Sequence, residues 1–184
     1  MRLKCISSQA LDFVRNHIVA LPSESALYQN FRSIICTPGL LYPAYEYLRE
    51  IVSHFNDPLE KLGVLMFDEM KLSEHCESSK KIDAIFGPNA YAQQIYIKSL
   101  VGDWELPFYT EFDKAMTKDT LFGIIKNLET IGIEIVYVTC DQGGTNQSLQ
   151  GELGITPETP YFVSESGRKI FLAPDWVHVF KSLR

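Results

Sequence analysis

The chain has 184 residues, of which 46% are hydrophobic, and this suits one globular domain with room for a small appendage rather than a disordered chain. Its formal net charge of −6 has the wrong sign for a protein that binds nucleic acid through its own positive charge alone. The apolar runs are much shorter than a membrane span, and residues 1–8 lack the apolar core of a secretory signal. We therefore expect no membrane contact.

The cysteines predict neither a disulfide framework nor a zinc site. Cys5, Cys36, Cys76 and Cys140 lie far apart in the sequence, with no CxxC pair and no histidine at zinc-ligand spacing. This pattern is typical of reduced and mostly buried thiols, and an intracellular setting follows by default.

The first part of the chain predicts helices that lead into a main domain. Residues 8–17 form a turn-rich helix, and Ser23 is placed to cap a second helix over residues 24–35. A third helix covers residues 42–55, with Pro43 in its first turn. The domain boundary is expected near Asp57, so we assign residues 1–57 to a helical connector.

From Gly63 onward the pattern changes to that of an α/β sheet. Two strands, residues 64–67 and 133–140, are apolar almost throughout, as is typical of strands covered on both faces. The remaining elements alternate between strands and helices, which predicts a leading antiparallel meander followed by parallel crossovers. Strands are expected at 82–86, 93–100 and 170–173, and an extended piece at 106–112 is harder to place. Three helices are expected: one that begins after Thr117, one over 145–153 and one over 175–184.

An aspartate follows each of the two most apolar strands. Asp68 ends the first and Asp141 ends the second. Ligands of open α/β sheets bind at the carboxyl ends of the strands, so neighbouring parallel strands would bring these carboxylates together. Two close carboxylates repel each other unless a cation offsets their charge, and Mg²⁺ prefers oxygen ligands. The pair therefore predicts a divalent-metal site able to act on a phosphodiester.

A purely structural role is the alternative for these aspartates. Asp141 alone, followed by Gly143 and Gly144, is a common turn, and either residue could cap the next element. Capping does not explain acids after both of the apolar strands, which favours the metal site for the pair.

Two motifs resemble those of P-element-type DNA transposases and their THAP-domain relatives. Residues 65–71, with the sequence LMFDEMK, are similar to the family's first catalytic strand, and residues 138–147, with the sequence VTCDQGGTNQ, are similar to its second motif. Asp175, His178, Lys181 and Arg184 resemble the family pattern at the start of a later helix. Upstream, residues 21–28 are similar to the last helix of the family's helix-turn-helix, so the connector is interpreted as part of that segment.

The resemblance implies an RNase H-like mixed sheet over residues 58–184, preceded by a short helical segment and incomplete at its carboxyl end. It implies Mg²⁺- or Mn²⁺-dependent cleavage of transposon-end DNA and strand transfer, with Asp68 and Asp141 as catalytic metal ligands. Asp175, His178 and Lys181 would contact those ligands or face DNA. A third catalytic acid and a GTP-binding insertion would lie downstream of Arg184. Nuclear location is also implied, and a homo-oligomer of the full-length protein is left open.

Two other function classes stay open at this point. The chain could be a domesticated, non-catalytic protein that keeps the fold for DNA or protein interaction. It could also be an unrelated phosphate-handling enzyme, but residues 143–145 lack the lysine of a Walker loop. A phosphatase loop would need a second acid where Met70 stands.

Overall fold

The structure is a computed structural model that describes residues 13–15, 17, 23, 25–26, 37–74, 76–79 and 83–182. The chain divides into two compact units, Met1–Ile35 and Cys36–Arg184. In the first unit the Ser23 hydroxyl accepts a hydrogen bond from the Ala26 amide at 3.2 Å, as expected of a helix cap. Most of the two helices predicted over residues 8–35 lies outside the described residues.

The second unit is built on a seven-stranded mixed sheet. Its strand order is β1-β6-β5-β2-β7-β9-β8, with β2, β7 and β9 parallel and the other pairs antiparallel. A separate hairpin pairs β3 with β4. The strands are β1 (Gly39–Leu40), β2 (Leu62–Lys71), β3 (Glu77–Ser79), β4 (Ala84–Phe86), β5 (Tyr91–Ser99), β6 (Glu105–Phe112), β7 (Glu134–Cys140), β8 (Tyr161–Val163) and β9 (Lys169–Pro174). An antiparallel meander leads the sheet as predicted, but its strands are β2, β5 and β6, and the strand predicted at 82–86 is not among them. The predicted parallel crossovers are confirmed as β2 to β7 to β9.

Four described helices accompany the sheet. They are α1 (Tyr42–Val52), α2 (Lys118–Thr130), α3 (Gly144–Glu152) and α4 (Trp176–Ser182), and a 3₁₀ turn covers Pro58–Lys61. The Thr117 hydroxyl accepts a hydrogen bond from the Thr120 amide and caps α2, as the sequence predicts. None of the helices in the described part of the chain is long and apolar enough to cross a membrane.

The main core lies against one face of the sheet. Leu65 and Phe67 of β2 belong to a single buried cluster that also contains side chains of α1, α2 and α3. On the opposite face Val64 and Met66 are only partly buried, and Tyr96 and Phe171 are 46% and 48% exposed. The expectation that the central strands are covered on both faces is therefore wrong for the described residues.

Two further differences concern the strands after residue 67. β2 does not stop at Asp68 but continues to Lys71, because β5 pairs with it antiparallel along its whole length. The strand predicted at 82–86 is the short β4, which lies outside the main sheet. Its Ile85 is largely exposed, so no core contact draws this segment into the sheet.

The helix predicted over residues 42–55 is observed as α1, but it belongs to the sheet unit rather than to a connector. Leu48 and Val52 lie in the main core, and Tyr45 packs against Phe108 of β6. The compact unit therefore begins at Cys36, whereas the sequence placed the boundary near Asp57. Turn residues 56–58 separate two elements of the same unit, which composition alone does not distinguish from a domain linker.

Truncation of Leu48 should test whether α1 is part of the core. Leu48 is fully buried, so Leu48→Ala should lower the free energy of unfolding by about 2–5 kcal/mol. Tyr47 of the same helix is 56% exposed, and Tyr47→Ala should cost less than about 0.5 kcal/mol. Chemical denaturation of both variants measures the difference, and equal effects would contradict the assignment.

Candidate metal and catalytic site

The carboxyl-terminal edge of the parallel strands carries a row of polar side chains. Register pairs Phe67 of β2 with Cys140 of β7, and Cys140 with Pro174 of β9. Asp68, Asp141 and Asp175 each follow one of these three residues. The three aspartates line one cavity of about 620 Å³, so the structure brings both predicted metal ligands to the same opening.

Asp68 presents an exposed carboxylate at this edge. Its Oδ1 accepts a hydrogen bond from the Glu69 amide at 2.8 Å. Its backbone carbonyl accepts one from Nε2 of Gln93 at 3.0 Å, and the Gln93 side chain is 4% exposed. Within the part of the chain that the structure describes, no donor contacts Asp68 Oδ2. The backbone is thus fixed while one carboxylate oxygen stays available to a ligand.

Asp141 is held by two donors on the same oxygen. Asp141 Oδ1 accepts from the Gly143 amide at 3.0 Å and from Nδ2 of Asn146 at 2.6 Å. A Cβ added at Gly143 would lie 3.2 Å from this oxygen, so the glycine permits the close approach. Among the described residues, Oδ2 again has no donor. The two predicted ligands therefore share one pattern, an engaged Oδ1 and an available Oδ2.

Both carboxylate oxygens of Asp175 are hydrogen-bonded to residues at the start of α4. Its Oδ1 accepts from the Val177 amide at 2.9 Å, and its Oδ2 pairs with Nδ1 of His178 at 2.8 Å. The Val177 hydrogen bond and then the His178 hydrogen bond hold the pKa of Asp175 below its usual value, with a smaller contribution from the charge of Lys181. His178 also lines the cavity, whereas Lys181 is exposed and does not line it.

The carboxylates do not form a larger cluster. Within the described ranges, no group of three or more His, Cys, Asp or Glu side chains is placed to hold a metal ion. Cys140 lies next to Asp141, but burial raises the pKa of its thiol to about 11, so the thiol stays protonated at neutral pH. Of the two described cysteines, Cys140 is buried as predicted and Cys76 is exposed. The donor set is thus a pair of carboxylates.

Below the carboxylates, the cavity is lined by residues that the sequence analysis did not single out. Register places Tyr96 of β5, Met66 of β2 and Thr139 of β7 in one row across the sheet. Gln94 stands beside Asp68, and Tyr137 lies one row further from the edge. Period-two alternation from the two aspartates would identify Met66 and Thr139 as residues of the same face. The partner strand and its register, which place Gln94 and Tyr96, are not visible in the local pattern.

Known proteins are similar to this chain in both sequence and fold. The family described as TNP-like, RNase H N-terminal domain, matches residues 36–154, which include Asp68 and Asp141. The Transposable element P transposase of Drosophila melanogaster is 31% identical over 166 residues, covering 89% of this chain and 22% of that protein. The solved structure described as the Drosophila P element transposase strand transfer complex is similar in fold, with a TM-score of 0.77 and 29% sequence identity. The match covers 96% of this chain and 40% of the solved chain.

The chain thus spans about a fifth of the curated relative and two fifths of the solved chain. The predicted resemblance to P-element-type transposases is confirmed, and so is the predicted RNase H-like mixed sheet with flanking helices. Because the family match covers more than half of the 184 residues, the chain belongs to the family of TNP-like RNase H N-terminal domains.

Proposed function

We propose that this chain supplies two metal-binding carboxylates, Asp68 and Asp141, of a transposase centre that cleaves transposon-end DNA and transfers the strand. The observation that carries the proposal is their placement directly after the register pair Phe67 and Cys140, facing one cavity. A capping role alone would not need both side chains to open into the same space. The alternative of an unrelated phosphate-handling enzyme has no such support from the geometry.

The donor set fits a hard divalent cation such as Mg²⁺ or Mn²⁺. Carboxylate oxygens are the ligands that Mg²⁺ prefers, and a site with one or two carboxylates leaves positions for water and a phosphate oxygen. Asp68 and Asp141 would hold the cation. When bound, it would supply charge neutralisation at phosphorus and a more acidic water. Asp175 Oδ2 is already hydrogen-bonded to His178, so Asp175 is not counted among the metal ligands. Asp175 and His178 would instead contact residues next to the metal ligands, or DNA.

DNA is the proposed substrate. The solved relative is described as a strand transfer complex, and this chain shares the fold of two fifths of it. With a net charge of −6, these residues need cations or other segments to bind a phosphodiester backbone. We further propose that a third acid, any GTP-binding insertion and any homo-oligomer contacts belong to other parts of a longer nuclear protein, as the resemblance implies.

Metal binding should depend on the two aspartates. Mn²⁺ titration followed by electron paramagnetic resonance should show weak binding to the 184-residue chain, because two carboxylates provide few protein ligands. Asp68→Asn should weaken it by more than ~10-fold, since losing a residue that only supports a ligand already costs roughly 10–100-fold. The matched control is Glu69→Gln, which neutralises the adjacent exposed carboxylate that does not line the cavity. Equal effects of both variants would place the metal elsewhere.

DNA cleavage separates the proposal from the non-catalytic alternative. The full-length protein that contains these residues should cleave transposon-end DNA with Mg²⁺, and Asp68→Asn or Asp141→Asn should lower the rate by roughly 10³-fold or more, as on loss of other catalytic groups. The 184 residues alone should show no specific cleavage, because two carboxylates leave a second ion poorly fixed.

Single-turnover gel assays of the full-length protein, its two aspartate variants and the 184-residue chain measure these rates. Glu69→Gln again serves as the control and should retain the wild-type rate. Full-length protein that binds DNA and Mn²⁺ but does not cleave would assign it to the domesticated, non-catalytic class.

A further inference from the structure

Asn146 contacts one of the two proposed metal ligands from the first turn of α3. Its side chain is 7% exposed, and its Nδ2 donates to Asp141 Oδ1 at 2.6 Å. Gln147, the next residue on the helix, is exposed and donates instead to the Gln142 carbonyl. The buried amide of Asn146 therefore binds a carboxylate, whereas the exposed amide of Gln147 binds a backbone carbonyl, although the two residues are neighbours in sequence.

Burial makes the Asn146 contact a specific one. A buried amide destabilises the fold unless it is hydrogen-bonded, so buried polar side chains mark positions where a defined partner is needed. Four described residues fall into the class of buried polar side chains: Gln93, Ser99, Asn146 and Ser164. Two of them, Gln93 and Asn146, donate to the aspartates of the candidate site.

Turn formation does not by itself account for the Asn146 contact. The Gly143 amide already donates to Asp141 Oδ1 across two residues, which is the hydrogen bond of an Asx turn. Asn146 adds a second donor to the same oxygen from a side chain five residues away. With two donors the carboxylate loses its freedom to rotate, and rotation is what would exchange Oδ1 with Oδ2.

The chemical type of the donor matters as much as its position. A lysine or arginine at this place would also orient Asp141, but its positive charge would oppose a cation nearby. An amide donates a hydrogen bond and carries no net charge. It therefore fixes the carboxylate while leaving its full negative charge for a metal.

We propose that Asn146 is a positioning residue, which holds Asp141 Oδ1 so that Oδ2 is kept directed at a divalent cation shared with Asp68. This inference rests on the proposed function of the carboxylate pair. It assigns to the second sequence motif a role beyond its aspartate and its glycine turn. Residues that orient a metal ligand commonly contribute roughly 10–100-fold to metal affinity.

Mn²⁺ affinity of the whole chain tests the inference. Asn146→Leu keeps the branching and approximate size of the side chain but removes the donor, and it should weaken Mn²⁺ binding by roughly 10–100-fold. Gln147→Leu removes the neighbouring exposed amide, and Ser164→Ala removes a buried hydroxyl that contacts Glu129. Both controls should bind Mn²⁺ within about 2-fold of wild type, even where thermal unfolding shows lost stability.

Asp141→Asn separates failure of the inference from failure of the proposed function. If Asp141→Asn weakens Mn²⁺ binding and Asn146→Leu does not, the positioning role is overturned and the metal site stands. If neither Asp68→Asn nor Asp141→Asn changes Mn²⁺ binding, the metal site itself is overturned, and the positioning role with it.

A measurement on the unmodified chain covers the case in which Asn146→Leu does not fold. In a Mg²⁺ titration followed by ¹H–¹⁵N spectra, the Asn146 side-chain amide signal should move along the same binding curve as the Gly143 backbone amide. The Gln147 side-chain amide should not move. A Gly143 signal that moves while the Asn146 signal stays fixed would overturn the proposal.

Discussion

The parallel pairing of β2 with β7 determines where both aspartates lie. The register begins at Leu62 with Glu134 and ends at Phe67 with Cys140, so β7 uses one residue more than β2 over the same length. A bulge near the start of the pair absorbs this residue. Side chains alternate with a period of two, so without the bulge one of the two carboxylates would turn toward the core. At the bulge, buried Gly63 packs so closely on Ile135 that a Cβ would lie 3.1 Å away. The site thus depends on a feature far from its edge.

Much of the sheet could be predicted because its signals are local. The apolar run before Cys140, the Thr117 cap of α2 and Pro43 at the start of α1 each act within a few residues, and all three elements are observed. Three of the four shortest strands, β1, β3 and β8, are not predicted, because two or three residues carry no periodic pattern. The boundary near Asp57 was misplaced since the contact that joins α1 to the sheet is long-range.

Some residues of the candidate site could also be predicted from the sequence, and others could not. Asp68 and Asp141 could be identified from the sequence because each directly follows an apolar run of residues, and the strand pairing then brings them to one cavity. Gln93 and Asn146 could not be identified by that reasoning, since polar residues at such positions are usually exposed. Their burial follows from the β5 pairing and from the way α3 packs behind Asp141. The hydrogen bond that each amide donates to Asp68 or Asp141, rather than any local pattern, is the feature that distinguishes these two side chains.

Electrostatics links the carboxylate row to the proposed substrate. Asp175 stays ionised to lower pH than an ordinary aspartate because Val177 and His178 donate hydrogen bonds to it. A phosphodiester approaching this edge in the absence of a cation meets charges of its own sign at short range, where salt screens little. A divalent ion held by Asp68 and Asp141 would cancel the negative charge of these two carboxylates and so remove most of that repulsion. The net charge of −6 is that of the whole chain, and physiological salt largely screens those exposed charges that lie more than ~8–10 Å from the site. Under the proposed function, metal binding at these two aspartates, rather than the overall charge, would decide whether DNA can reach the site.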